Sequence, residues 1–166
     1  KAIMDDYDRT ISALSNKGMT VTVIILNDWN PNRSDLIYPG TKKSSNAFYY
    51  MFNGANEAGF EQTRAIAAFL ADHYSGKDSN HGKVSNWIIG NEINNQQWNY
   101  MGPMDLTNYV KVYQQAFRIF YTAIKSTNAN DRVYFSLDYN WMNEIDGKLK
   151  YGGKEIVDSF NSIANV

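Results

Sequence analysis

The chain alternates between segments with helical hydrophobic spacing and short runs rich in β-branched residues. Three apolar runs have the composition of strands: 19–26 (MTVTVIIL), 84–90 (VSNWIIG) and 132–137 (RVYFSL). Four segments carry apolar residues at intervals of three and four, which predicts helices at 6–16, 60–74, 106–126 and 154–163. The predicted order is therefore α-β-α-β-α-β-α, and this alternation is typical of parallel βαβ units.

A polar segment from about residue 30 to residue 56 predicts a long loop after the first strand. It contains Pro31, Pro39, Gly40 and Gly54, which favour turns over regular structure. Loops of this length inside compact domains usually have a function or are mobile. No internal repeat or low-complexity tract interrupts the chain, so residues 1–166 are predicted to form one domain.

Three parallel strands do not complete either common kind of α/β domain. A (β/α)8 barrel needs eight strands and typically about 250 residues. A free three-stranded parallel sheet would expose two edges. The sequence therefore predicts an α/β fold that is a partial (β/α)8 TIM barrel, with about three parallel strands and four helices, as a truncated segment of a larger domain. We expect the exposed strand edges to cause self-association of the isolated segment.

Charge and hydropathy exclude two classes of partner. The net charge is −1 with both signs interspersed, so the chain has no field that would attract nucleic acid or anionic lipid. No apolar run approaches the roughly 20 residues needed to cross a bilayer. We therefore expect neither nucleic acid nor a membrane as a partner. The absence of cysteine removes disulfides, thiolate nucleophiles and cysteine-ligated zinc.

The second predicted strand ends in an amide and a carboxylic acid, Asn91 and Glu92. In α/β barrels, functional residues lie at the carboxyl ends of strands. A carboxyl group against an apolar wall can have a pKa high enough to donate a proton near neutral pH. Glycoside hydrolysis uses such a group to protonate the leaving oxygen. The alternative for Glu92 is a buried structural carboxylate paired with an Arg or Lys of an adjacent strand.

Further candidate substrate-binding residues lie near the predicted strand ends. Trp29 and Trp141 each follow a strand, where a ring could support a sugar or simply plug the mouth of the barrel. Trp98, in the loop after Glu92, could line a subsite. Asp28 and Asp138 lie at strand exits, where each could contact substrate or orient a neighbour. Trp87 and the aromatic stripe of the third predicted helix are interpreted as core.

The only two histidines, His73 and His81, have no metal-binding spacing such as HExxH. One lies near the end of a helix and the other in a polar turn before a strand, at the end of the sheet opposite Glu92. Both are interpreted as surface residues. Phosphate loops, Ser-centred elbows and zinc patterns are missing from the sequence, so we expect no metal and no cofactor.

Asn91-Glu92 after an apolar strand resembles the fourth-strand signature of a clan of retaining glycoside hydrolases built on (β/α)8 barrels. In that clan the glutamate is the general acid/base, and the preceding asparagine binds the hydroxyl next to the reacting carbon. The resemblance implies these catalytic roles for Glu92 and Asn91. The nucleophile of the clan, a glutamate at the end of the seventh strand, has no counterpart here. Glu144, in the loop after the third strand, does not match its position.

A closer resemblance covers most of the chain. Its residues are Gly59, the runs 69–71 (FLA), 73–75 (HYS), 82–84 (GKV), 86–92 (NWIIGNE), 109–110 (YV) and 133–137 (VYFSL), Tyr113 and Trp141. They resemble a bacterial family catalogued as a domain of unknown function within the glycosidase superfamily. The resemblance implies that the three strands are the third to fifth of a barrel. A secreted or cell-surface location is favoured, although the sequence leaves the compartment open.

The resemblance implies a glycoside hydrolase that cleaves glycosidic bonds by a retaining two-carboxylate mechanism, with a carbohydrate as its substrate. Because the nucleophile is missing, these 166 residues are expected to be inactive alone. Two alternatives remain: a carbohydrate-binding barrel without catalysis, and an α/β protein-interaction domain in which Asn91-Glu92 is a coincidence.

Overall fold

The computed structural model describes residues 2–78, 80–142 and 147–164. The order of elements is the predicted one: α1 (Ala2–Ser15), β1 (Thr22–Ile25), α2 (Glu57–Ser75), β2 (Asn86–Ile89), α3 (Leu106–Thr127), β3 (Arg132–Tyr134) and α4 (Gly153–Ala164). None of the helices in these ranges is long and apolar enough to cross a membrane.

The three strands form one parallel sheet in the order β1-β2-β3. In the register of this sheet, Trp87 of β2 lies between Val23 of β1 and Val133 of β3. The strand that ends at the Asn91-Glu92 segment is therefore the middle one. This confirms the α/β class with parallel strands and is consistent with a partial barrel.

The strands are shorter than the sequence predicts. β1 begins at Thr22 rather than residue 19, and β3 ends at Tyr134 rather than residue 137. Beyond Tyr134 the chain still contacts its neighbour, because the carbonyl of Ser136 accepts a hydrogen bond from the backbone of Ile93 at 3.0 Å. These residues therefore bind the loop that follows β2 instead of extending the strand ladder.

The predicted long loop has structure of its own. It contains a 3-10 helix, Pro31–Leu36, whose start is capped by the side chain of Asn30. An antiparallel bridge then joins Ile37 to Phe52, so the loop folds back on itself. The loop also returns to the segment that follows β1, where the amide of Tyr50 donates to the carbonyl of Asn27 at 2.8 Å.

One face of the sheet packs into the core. Trp87 and Ile89 of β2 are each only 1% exposed, and they belong to one hydrophobic cluster with the apolar stripe of α3. The buried members of that stripe include Tyr109, Val110, Tyr113, Phe117, Phe120 and Ile124. The interpretation of Trp87 and the stripe as core is confirmed.

The opposite face of the sheet is much less covered. Ile24 is 46% exposed and Tyr134 is 42% exposed, while Ile88 between them is half-buried. Among the described residues, only one face of the sheet is therefore fully buried. In a closed barrel this inner face would be covered by the other strands. Self-association through the exposed edges stays a prediction.

Candidate functional site

The backbone on both sides of Asn91-Glu92 is bound to the neighbouring strands. The amide of Gly90 donates to the carbonyl of Ile25 at the end of β1, at 3.0 Å. The amide of Ile93 donates to the carbonyl of Ser136, just past β3, also at 3.0 Å. The segment that carries the two candidate residues is therefore fixed to the exits of all three strands.

Glu92 has an unusual backbone conformation. Its φ of +42° makes it the one non-glycine residue with a positive φ in the described part of the chain. For an L-residue this left-handed conformation costs roughly 1–2 kcal/mol. The hydroxyl of Ser136 accepts the Glu92 amide at 2.9 Å and so helps to hold it. Backbone strain of this kind concentrates at functional sites.

The side chain of Glu92 is half-buried and makes no hydrogen bond or ion pair with the described residues. The alternative of a carboxylate paired with an Arg or Lys therefore finds no support in them. Asn91 accepts a hydrogen bond from the Ser136 hydroxyl at 3.3 Å through its side-chain oxygen. Both candidate residues thus present polar groups that a ligand could engage.

Buried hydroxyl and amide groups hold the loop after Glu92 in place through hydrogen bonds. The Tyr109 hydroxyl donates to the carbonyl of Ile93 at 2.7 Å. Gln96 donates from its side chain to the Tyr151 hydroxyl at 3.0 Å and accepts from the Met101 amide at 3.1 Å. Burial raises the pKa of Tyr109, so its hydroxyl stays a donor. These hydrogen bonds attach the loop to α3 and to the segment before α4.

Asp138 lies at the exit of β3, as predicted, but its carboxylate is occupied. The side-chain amides of Asn94 and Asn140 donate to its two oxygens at 2.5 and 3.0 Å. The Asp138 amide in turn donates to the side-chain oxygen of Asn94 at 2.8 Å. Burial alone would raise the pKa of Asp138, but these donors outweigh it and hold the pKa below its usual range. The geometry fits a residue that organises loops.

Trp98 and Asp28 come together in a pocket of about 250 Å³. Its walls also include Phe48 and Tyr49. The Trp98 ring lies 4.9 Å from that of Phe48 and 6.2 Å from that of Tyr49 between centroids. The sequence reasoning missed Phe48 and Tyr49, although the aromatic run 48–52 (FYYMF) inside an otherwise polar loop was a usable signal.

Trp29 and Trp141 do not line this pocket. Trp29 is half-buried, packs on Tyr50 with ring centroids 5.1 Å apart, and lines a separate pocket of about 360 Å³, so both of its predicted roles stay open. Trp141 is 49% exposed and lies against Gly153 at the start of α4. Glu144 falls outside the described residues.

Comparison with models of protein families matches residues 1–166 to DUF5722, a family of unknown function. The chain belongs to this family. No curated protein matches it. The resemblance to a domain-of-unknown-function family is thus confirmed at the level of the family, whereas glycoside hydrolase activity stays a prediction.

A second polar cluster lies at the amino end of the strands. The rings of His73, on α2, and His81, in the turn before β2, stack with centroids 3.8 Å apart. Both contact the carboxylate of Asp8 on α1, with His73 Nε2 2.9 Å from Oδ1 and His81 Nδ1 3.0 Å from Oδ2. The sequence interpretation treated the two histidines as surface residues. The structure joins them in one half-buried cluster, which no sequence spacing indicates, because 65 residues separate Asp8 from His73.

Proposed function

We propose that the chain supplies the acid/base half of a retaining glycoside hydrolase, with Glu92 as general acid/base and Asn91 as the residue that orients the substrate. The proposal rests on the position and conformation of Glu92. It follows the middle strand at its carboxyl end, adopts a left-handed conformation, and has no side-chain partner among the described residues. A carboxylate that serves only structure has no need of this strained and unpaired arrangement.

In this mechanism the Glu92 carboxyl protonates the oxygen of the leaving group while a second carboxylate attacks the anomeric carbon. Glu92 then removes a proton from the water that releases the sugar from the enzyme. Retaining enzymes hold the two carboxyl groups roughly 5–5.5 Å apart. The proposal takes the second carboxylate from a longer chain, so that residues 1–166 alone are expected to be inactive.

The test is hydrolysis of a panel of aryl glycosides by the full-length protein and its Glu92→Gln variant. Loss of a general acid/base should lower kcat by about 10²–10⁴-fold on substrates with poor leaving groups. Substrates with activated leaving groups need no proton, so their glycosylation step should be spared. Added azide should then restore turnover, because it attacks the glycosyl-enzyme without a general base.

Glu57→Gln is the matched control, because Glu57 is an exposed carboxylate in the first turn of α2. It should leave every rate unchanged. If the Glu92→Gln variant hydrolyses every substrate of the wild type at the wild-type rate, the acid/base role of Glu92 is excluded.

The second candidate is carbohydrate binding without catalysis, and the aromatic pocket favours it. Flat aromatic faces beside a carboxylate suit a sugar ring, and Phe48, Tyr49 and Trp98 provide such faces beside Asp28. In this case the wild-type protein would bind oligosaccharides without cleaving them. Trp98→Ala should weaken binding at least about tenfold, whereas Tyr121→Ala on the exposed side of α3 should not. Absence of any sugar binding or hydrolysis would instead favour the protein-interaction alternative.

A further inference from the structure

We propose that Asp8, His73 and His81 bind a divalent transition-metal ion of the zinc type at the amino end of the sheet. The ion would join three separate parts of the chain: α1, the end of α2 and the turn before β2.

The geometry of the three side chains is close to that of a metal site. One ligand atom from each residue lies within 4.8 Å of the other two. His73 Nε2 and His81 Nδ1 already lie 2.9 and 3.0 Å from the two oxygens of Asp8. Ligand atoms of a tetrahedral zinc site, each about 2.1 Å from the ion, are about 3.4 Å apart. Because the two rings are stacked with an interplanar angle of 17°, one imidazole must turn out of the stack so that both lone pairs point at the ion.

The donor set selects the type of ion. Two imidazole nitrogens with one carboxylate are the ligands of zinc and related transition ions, while Mg²⁺ and Ca²⁺ prefer oxygen ligands alone. Three protein ligands leave a fourth position for water. The chain has no cysteine and only these two histidines, so it contains no other imidazole or thiol side chain for such an ion.

The charge of the cluster is also compatible with a divalent ion. When both imidazoles are neutral, the cluster carries the single negative charge of Asp8. No Lys or Arg among the described residues forms an ion pair with Asp8. A divalent ion would accept the lone pairs of two neutral imidazoles and offset the negative charge of Asp8.

The turn that carries His81 is docked tightly on α1. Gly82 has a φ of +82°, and a Cβ on it would lie only 2.5 Å from the backbone nitrogen of Ser12. The next amide, of Lys83, donates to the Ser15 hydroxyl at 3.1 Å. The cluster is therefore held together by the backbone as well as by its own side chains.

Tyr74 adds an outer contact of the kind that metal ligands usually have. Its hydroxyl donates to Oδ1 of Asp8 at 2.8 Å. Such partners fix the orientation of a ligand, and their loss typically costs 10–100-fold in metal affinity. The ion would act structurally, because the amino end of parallel strands lies opposite the end that carries Glu92.

The test is calorimetric titration of the metal-free full-length protein with Zn²⁺, with Co²⁺ as the spectroscopic probe. We expect a site whose affinity falls at least about 100-fold in His73→Ala and His81→Ala, and about tenfold in Tyr74→Phe. Bound Co²⁺ should show the intense visible absorption of tetrahedral nitrogen and oxygen coordination. Zn²⁺ should also raise the melting temperature of the wild type but not of the histidine variants.

Asp5→Asn is the control, because it removes a carboxylate one turn earlier on α1 and lies outside the cluster. It should bind Zn²⁺ like the wild type, and so should Glu92→Gln, since the metal site does not depend on the proposed catalysis. A wild-type protein that binds no Zn²⁺ at equimolar concentration overturns the proposal whatever the variants do. Equal affinity in a folded His81→Ala variant, with folding checked by circular dichroism, overturns it as well.

Discussion

The two ends of the sheet each carry a half-buried carboxylate, and the two are held in opposite ways. At the carboxyl end, the side chain of Glu92 has no described partner, and the backbone around it is held by hydrogen bonds to Ile25 of β1 and to Ser136 just past β3. At the amino end, Asp8 is contacted by the side chains of His73, His81 and Tyr74. The first arrangement leaves a carboxylate open to a ligand, while the second uses one to join helices.

The two ends also differ in which type of residue adopts the left-handed backbone conformation. The positive φ of Glu92 falls on a residue with a side chain, whereas the left-handed position beside the amino-end cluster falls on Gly82. A glycine adopts this conformation without steric cost. The left-handed position at the amino end therefore carries no steric strain, whereas the one at Glu92 does.

The largest effect on stability is expected at the amino end, from Gly82→Ala. The new Cβ would clash with the backbone of Ser12 and would also force an L-residue into a positive φ. The two penalties together should lower the free energy of unfolding by about 2–4 kcal/mol, measured by denaturant titration. Gly40→Ala is the control, since Gly40 has a φ of +83° and nothing within 4 Å. It should cost only about 1 kcal/mol, and equal losses in the two variants would mean that the turn is not tightly docked.

At the carboxyl end, Ser136→Ala should have an intermediate effect. It removes the acceptor of the Glu92 amide and the donor to Asn91, with an expected loss of about 1–2 kcal/mol in the free energy of unfolding. If Glu92 is catalytic, kcat should fall in the full-length protein because the residue is less well positioned. Ser126→Ala, at the exposed end of α3, should change neither quantity. An unchanged stability in Ser136→Ala would show that the strand exits hold Glu92 without this hydroxyl.

The smallest effect is a gain in stability from Glu92→Gly. Glycine relieves the left-handed strain, so this variant should be up to about 1 kcal/mol more stable than Glu92→Ala, which keeps the strain. Thermal or denaturant unfolding of the two variants measures the difference. If Glu92→Ala is the more stable of the two, the backbone of residue 92 carries no strain. The two ends of the sheet would then not differ in backbone strain.

Most of the fold could be predicted from local patterns. The stripe of α3 and the apolar run of β2 identified their elements and the core position of Trp87, because helical and strand periodicities are local properties. The strand ends could not be predicted in the same way. Whether residues 135–137 join a ladder depends on the neighbouring strand, and Ser136 instead binds the loop after β2.

For the candidate site too, some features follow from the sequence and others only from the tertiary structure. The sequence by itself determined that Asn91-Glu92 follows an apolar strand, because that order is written in the chain. Only the tertiary structure decided that Glu92 is strained and unpaired among the described residues, and that Phe48 and Tyr49 meet Trp98. It alone brought Asp8 to His73 and His81. Contacts between residues distant in the chain depend on how helices pack on the sheet, and no local spacing encodes them.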